Sequence, residues 1–381
     1  MDTTAAALTP KDLKAFGYTI IDADAHMSEP LDLWTARIDR RFLDRAPRVV
    51  DEFKGRPGRY WVFEDVAMRV SHGKQGGHTT MERPGGWDPV ERLKDMEIDG
   101  ISAAVLYSTR AFNLFGTEDA GLQEACFRVY NDWLAEFCSH APDRLAGLAL
   151  ISLYDIGRGV AELERCARLG LKGAMIWAAP PETRPPYVAK DYDALWAAAQ
   201  SLGLPLSLHT NTAGVKHTSY SVDREGDWGM QYTYMVMQQS PLQESILRLA
   251  YSGVFDRFSK LDVICAEGDI AWMPQLMARA DKYYASRGKR GHGDRFNLEL
   301  LPSEYLRRNV WISFIKDELG LKLYPHGNFA DHIMWSTDYP HAACFFPDSL
   351  KVIREDFAEV PEVDRKKFVH DNVARLFGFE V

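Results

Sequence analysis

Apolar and polar positions along the chain alternate between two periods. Short, nearly continuous apolar runs occupy residues 18–23, 103–107, 145–151, 173–177, 204–208, 261–266, 310–314 and 333–336, each bounded by Gly, Pro or charge. That is the pattern of strands buried on both faces. Between them lie stretches of helical spacing at 88–98, 120–140, 157–169, 191–202, 241–255, 270–284, 302–308 and 347–357, with 362–377 closing the chain. The stretch 88–98 opens with Asp88 and Pro89, a favourable cap and first-turn pair. In 120–140, Leu122, Phe127, Tyr130, Leu134 and Phe137 recur at helical intervals. Strand and helix in alternation imply parallel strands joined by right-handed crossovers. Eight repeats fit a closed barrel better than an open doubly wound sheet, which would carry a Gly-rich phosphate loop after its first strand. None is present, so the expected fold is an α/β (β/α)8 TIM barrel, with residues 1–381 forming a single domain.

Two segments break the rhythm. Residues 27–87 follow the first strand and are rich in Gly, Arg and aromatics, including three glycines within 71–77. Residues 210–239 follow the fifth strand and carry Trp228, Met230, Tyr232, Tyr234, Met235 and Met237. Both leave the carboxyl end of a barrel strand, the face where such barrels build their sites. They read as walls and lid of a pocket, or else as packing or dimer surface.

Ligand-type residues gather at those strand ends. The first strand ends in Asp22-Ala-Asp24-Ala-His26, with Asp22, Asp24 and His26 on one face by period-2 alternation. Charged groups and an imidazole on a buried strand are costly unless compensated, and a divalent cation compensates them. Strand five ends in His209, strand six in Glu267 and strand eight in Asp338. Four of eight otherwise apolar strands ending in Asp, Glu or His is difficult to explain by packing.

Bulk properties narrow the partners. Apolar residues make up 46% and charged residues 26%, with a net charge of −9, so neither nucleic acid nor an anionic membrane surface is expected as a partner. No apolar run is long enough to span a bilayer and no secretory signal is evident, so a cytoplasmic enzyme is expected. Five scattered cysteines without a C-x-x-C pair read as reduced thiols, and Cys344, three residues after His341, reads as lining rather than nucleophile.

Several blocks together resemble the amidohydrolase-2 family, the aminocarboxymuconate-semialdehyde decarboxylase-like branch of the amidohydrolase superfamily. They are Asp24-x-His26, His209, the run from Ser252 to Phe258, Glu267-Gly to Trp272, Pro302-Ser-Glu with Arg307-Arg-Asn, Ser336-Thr-Asp-Tyr-Pro-His341 and Asn372-x-x-Arg-Leu-Phe-Gly378. The resemblance implies a distorted barrel holding one divalent metal through Asp24, His26, His209 and Asp338. Zinc is the expected ion and manganese the alternative. It further implies a homodimer or higher homo-oligomer acting on a small molecule. Two departures stand out: the family's first-strand pair is His-x-His or Glu-x-His, and its decarboxylases usually place a histidine where Glu267 stands.

Such a site leaves a metal position open, as in catalytic rather than structural centres. The expected activity is non-oxidative decarboxylation of a small hydroxy-aromatic or unsaturated acid, with Asp338, Glu267 and His341 as the proton-handling groups. The alternatives are metal-dependent hydrolysis of an ester, lactone, amide or C–C bond, and a metal-free binding or scaffold protein. Arg279, Arg69 and Arg110 are candidate clamps for a substrate carboxylate. The aromatics of 210–239, with Phe345 and Phe346, point to a pocket for a flat molecule, or to barrel-mouth packing.

Overall fold

The computed structural model describes residues 16–70, 83–213, 227–288 and 298–380. The glycine-rich stretch 71–77 and part of the segment after the fifth barrel strand lie outside the described residues. Eleven strands are described: β1 (Ile21–His26), β2 (Arg48–Phe53), β3 (Arg56–Phe63), β4 (Val66–Arg69), β5 (Ala103–Tyr107), β6 (Leu145–Leu150), β7 (Gly173–Ile176), β8 (Leu206–His209), β9 (Val263–Ala266), β10 (Val310–Phe314) and β11 (Ile333–Trp335). Eight of them make one parallel sheet in the order β1-β5-β6-β7-β8-β9-β10-β11. Every residue of these eight strands is buried. Their near-continuous hydrophobicity thus has the expected cause: side chains fill the barrel on one face and meet helices on the other.

The ring closes through the chain just past β11. The N–H of Asp338 donates to the carbonyl of Asp24 at 3.0 Å, and the N–H of His26 donates to the carbonyl of Tyr339 at 2.6 Å. The protein is therefore a (β/α)8 barrel, and its seam lies at the level where the candidate ligands sit.

Several elements depart from expectation. The first strand starts at Ile21 rather than at residue 18, so all of Asp22-Ala-Asp24-Ala-His26 is strand. The segment 27–87 is not loop alone. It holds the helix Leu33–Arg37 and a three-stranded antiparallel sheet, β2-β3-β4, around a small core of Tyr60, Val62 and Ala67. The strand β2 is exposed or half-buried throughout, so its charged residues masked the apolar alternation. Two further helices were not foreseen: Trp228–Met237, and Glu318–Gly327, which carries Pro325 near its end. The closing stretch 362–377 is also interrupted, by a wider helical turn at Lys367–Asp371.

Candidate metal centre

The sequence delivers Asp24 and His26 on β1, His209 as the last residue of β8, and Asp338 three residues past β11. The fold brings all four together. His26 Nε2 lies 3.4 Å from Asp24 Oδ1 and 3.3 Å from Asp338 Oδ1, and His209 Nε2 lies 3.5 Å from Asp24 Oδ1.

Each imidazole is oriented by its other nitrogen. His26 Nδ1 donates to the carbonyl of Ser108 at 2.6 Å, and His209 Nδ1 donates to the carbonyl of Thr210 at 2.7 Å. Those carbonyls only accept, so each Nδ1 carries a proton and each Nε2 faces the cluster, which in the neutral ring is the tautomer a metal requires. Asp24 Oδ1, His26 Nε2, His209 Nε2 and Asp338 Oδ1 are all buried without a hydrogen-bond partner. Leaving such atoms unmet costs about 1–3 kcal/mol apiece. The ligand atoms of Asp24, His26 and His209 lie within 4.8 Å of one another and Asp338 adjoins them through His26, a set of two imidazoles and two carboxylates that fits a divalent cation. Burial by itself would raise Asp24, but His209 and His26 hold it well below the carboxylate range. Burial would lower His209, and the Asp24 carboxylate overrides this and pushes it up to about 9.

Two acids are aimed by unusual backbone. Glu267 and Asp338 sit at φ +52° and +59°, the left-handed region that non-glycine residues seldom occupy and that collects at functional sites. Glu267 accepts from Thr210 Oγ1 at 2.7 Å and lies 3.8 Å from His209 Nδ1. Its own N–H donates to Ser313 Oγ, which in turn donates to the second oxygen of Asp24 at 3.2 Å. Burial, helped by the Asp338 charge, pushes Glu267 up to about 7. His341 stacks on His26 at 4.0 Å. Its Nδ1 lies 2.6 Å from Asp338 Oδ1, without the alignment of a hydrogen bond, and its Nε2 lies 2.9 Å from Thr109 Oγ1. His26, Asp338 and His341 make a second group with ligand atoms within 4.8 Å of one another. Phe112 and Tyr107 wall the cluster, with ring centroids 4.6 Å and 5.0 Å from that of His209.

Of the three arginines, only Arg110 comes near. Its guanidinium donates to the carbonyl of Glu29 at 2.8 Å, one residue from the Thr109 that touches His341. Arg69 is exposed on the small sheet, donating to the Tyr60 hydroxyl at 3.3 Å. Arg279 is exposed on the helix Met273–Tyr283, with its guanidinium over Tyr283. That helix turns Met273, Met277 and Ala280 inward, so helical spacing carries Arg279 outward and corrects its expected place in the pocket. Cys344 forms no disulfide and is half-buried.

Sequence reasoning set Asp22 beside Asp24 and His26 and passed over Arg92 and Glu29. Asp22 does not join the cluster. It accepts from Thr337 N–H at 2.9 Å, from the Thr337 hydroxyl and from Asp24 N–H at 3.1 Å, and so ties β1 to the segment bearing Asp338. Arg92, buried on the helix Pro89–Asp99, donates to the carbonyl of His26 and lies 4.6 Å over the Tyr339 ring. Glu29, fully buried, accepts from Ser108 Oγ and from the N–H groups of Thr109 and Arg110. A carboxylate three residues after His26 was the one visible signal for it.

Fold and site define a class: a (β/α)8 barrel enzyme with a candidate divalent-cation centre at the carboxyl ends of its strands. The chain belongs to the Amidohydrolase family, whose model matches residues 21–311. It is 29% identical over 311 residues to gamma-resorcylate decarboxylase of Rhizobium sp. (strain MTP-10005), covering 76% of this chain and 86% of that protein. Among solved structures, an amidohydrolase from Mycobacterium avium subsp. paratuberculosis K-10 superposes with a TM-score of 0.75 at 22% identity, covering 95% of this chain and 99% of its own. The 5-carboxyvanillate decarboxylase of Novosphingobium aromaticivorans DSM 12444, complexed with manganese and 4-hydroxy-3-methoxy-5-nitrobenzoic acid, superposes with a TM-score of 0.70 at 22% identity, covering 97% and 100%.

Proposed function

We propose that this chain is a metal-dependent, non-oxidative decarboxylase of a small hydroxy-aromatic acid. The observation that carries the reading is the set of four unpartnered ligand atoms on Asp24, His26, His209 and Asp338, beside the half-buried carboxyl of Glu267. The gamma-resorcylate decarboxylase relative supplies the substrate class. Zinc and manganese both suit two imidazoles and two carboxylates, and the solved decarboxylase holds manganese. A bound divalent ion would hold and polarise the substrate's oxygens.

The remaining work falls to the chain. Loss of CO2 needs a proton delivered to the ring carbon that bears the carboxylate. The C–C bond then breaks, its electron pair restores the aromatic ring, and CO2 leaves. Glu267, whose pKa desolvation raises, is the donor, and solvent at the barrel mouth reprotonates it. Thr210 fixes the Glu267 carboxyl, and Phe112 and Tyr107 pack against the ring of His209. Arg110 is the arginine placed to meet an anionic group.

The test is a product assay. Metal-reconstituted protein incubated with dihydroxybenzoates is expected to release CO2 and the matching phenol in equal amounts. Turnover of aromatic esters or lactones with no CO2 from any acid would replace the decarboxylase with the hydrolase.

Asp22 supplies a finer check on the ligand geometry. In Asp22→Asn the amide no longer accepts from both Thr337 groups and Asp24, so the Asp338 segment loosens. Manganese affinity, read by competition with a chromogenic chelator, is expected to fall about 10–100-fold, the usual effect of losing a group behind a ligand. Asp99→Asn is the control, because Asp99 is as buried but bonds only Ser349. Equal affinities in both variants would reduce Asp22 to a stability role.

A further inference from the structure

The segment that leaves β1 runs beside the segment that leaves β5. His26 is in register with Tyr107, the last residue of β5, and the N–H of Met27 extends the pairing by donating to the Tyr107 carbonyl at 2.8 Å. Glu29, two residues further on, is thereby set against residues 108–111. Its side chain is fully buried and meets four donors there. Oε1 accepts from Ser108 Oγ at 2.5 Å, from Thr109 N–H at 3.1 Å and from Ala111 N–H at 3.4 Å. Oε2 accepts from Arg110 N–H at 2.9 Å. Among side chains, a carboxylate alone offers two accepting oxygens and no donor, so the residue type suits the place.

The Thr109 N–H belongs to the same peptide unit as the Ser108 carbonyl, and that carbonyl accepts from His26 Nδ1 at 2.6 Å. One planar amide thus has Glu29 on its N–H and His26 on its oxygen. We propose that Glu29 is a positioning residue for His26, acting through the Ser108–Thr109 peptide as a carboxylate in direct contact would act behind a metal-binding imidazole. A bond accepted from the N–H draws electron density onto the carbonyl oxygen, which then accepts the Nδ1 proton more strongly. The ring is held at one angle, and its Nε2 becomes a better donor to a cation. The same carboxylate fixes the next peptide through the Arg110 N–H, and Thr109 Oγ1, between the two peptides, rests 2.9 Å from His341 Nε2. The Arg110 guanidinium completes the tie by donating to the Glu29 carbonyl at 2.8 Å. Asp22 joins β1 to the segment bearing Asp338, and Glu29 joins it to the segment after β5.

The effect on a cation rests on the metal centre proposed above, whereas the hold on His26 does not, and two readouts separate them. In the full chain, treated with chelator and carrying isotope-labelled histidine, nuclear magnetic resonance follows the His26 Nδ1 proton, assigned by its loss in His26→Gln. Glu29→Gln leaves one accepting oxygen for four donors and turns an NH2 group on the rest. The proton is expected to move upfield as its bond to the Ser108 carbonyl weakens. Manganese affinity, read by competition with a chromogenic chelator, is expected to fall about 10–100-fold. Glu29→Asp keeps the carboxylate but withdraws it by one methylene, and this milder change should move both readouts the same way by less. Asp99→Asn, at a buried carboxyl bonded to Ser349, should leave both at wild-type values, which separates lost position from a general loosening of the barrel. An unmoved His26 proton in Glu29→Gln, or in Glu29→Asp where the Gln variant does not fold, overturns the proposal. So does an Asp99→Asn variant that moves it as far. A moved proton in a chain that binds no manganese would leave the hold on His26 standing and remove the metal centre instead.

Discussion

His209→Ala and Asp338→Asn, purified without chelator, are expected to retain little bound metal and to lose roughly a thousandfold or more in turnover, ~4 kcal/mol of transition-state stabilisation. The two variants remove one imidazole and one carboxylate from the four-donor set. Asn is chosen at 338 because it tolerates the left-handed backbone there, where φ is +59°, so the seam is not broken along with the ligand. Thermal unfolding distinguishes ligand loss from fold loss. Each variant also loses contacts of the metal-free chain, His209→Ala those with Asp24 and Thr210 and Asp338→Asn its ion pair with His341, so each is compared with its own chelator-treated form. Metal at a hundredfold excess over its Kd stabilises the native chain by about 2.7 kcal/mol. Chelation should therefore lower the wild-type midpoint and leave that of both variants unmoved. Elemental analysis showing wild-type metal content in His209→Ala would remove His209 from the centre.

The second large effect is expected at Glu267. Glu267→Gln preserves the shape and the Thr210 contact but cannot deliver a proton, and turnover should fall about 10²–10⁴-fold with metal content unchanged. The pH profile fixes the sign. An acid works only while protonated, so wild-type turnover falls as pH rises through the Glu267 pKa. Burial and Asp338 push that value up to about 7, and a cation alongside lowers it, so the alkaline limb belongs at or below about pH 7. Glu267→Gln should lack that limb. A variant with full activity, or one whose limb is unmoved, would pass the proton-donor role to Asp338 or His341. Glu267 stands where the family's decarboxylases usually carry histidine, so the same experiment asks whether a half-buried carboxyl does the work of an imidazole.

Much of this site was open to sequence reasoning, because strand ends are local features. His209 and Glu267 end or directly follow apolar runs, and the Asp24-x-His26 spacing is set by a two-residue repeat. What stayed hidden depended on contacts between distant parts of the chain. Asp22 has the same alternation as its two neighbours, yet it bonds Thr337 near the opposite end of the chain. Arg279 and Arg110 look equally suitable in sequence, and only packing turns one outward and sets the other, with its neighbour Thr109, beside His341. The exposed, charged strand β2 of the insertion concealed a small sheet, since a strand with little to bury leaves little pattern.

The sequence by itself determined the eight-fold repeat of buried strands and the residue types waiting at their ends, because hydrophobic period and side-chain chemistry are written residue by residue. Tertiary structure decided how the ring closes, through main-chain bonds beyond β11 that set Asp338 beside Asp24. It also decided which nitrogen of each histidine faces inward, through the carbonyls of Ser108 and Thr210. Those outcomes rest on where a carbonyl or a backbone turn falls in space, and hydrogen-bond geometry between remote segments exists only once the barrel has formed.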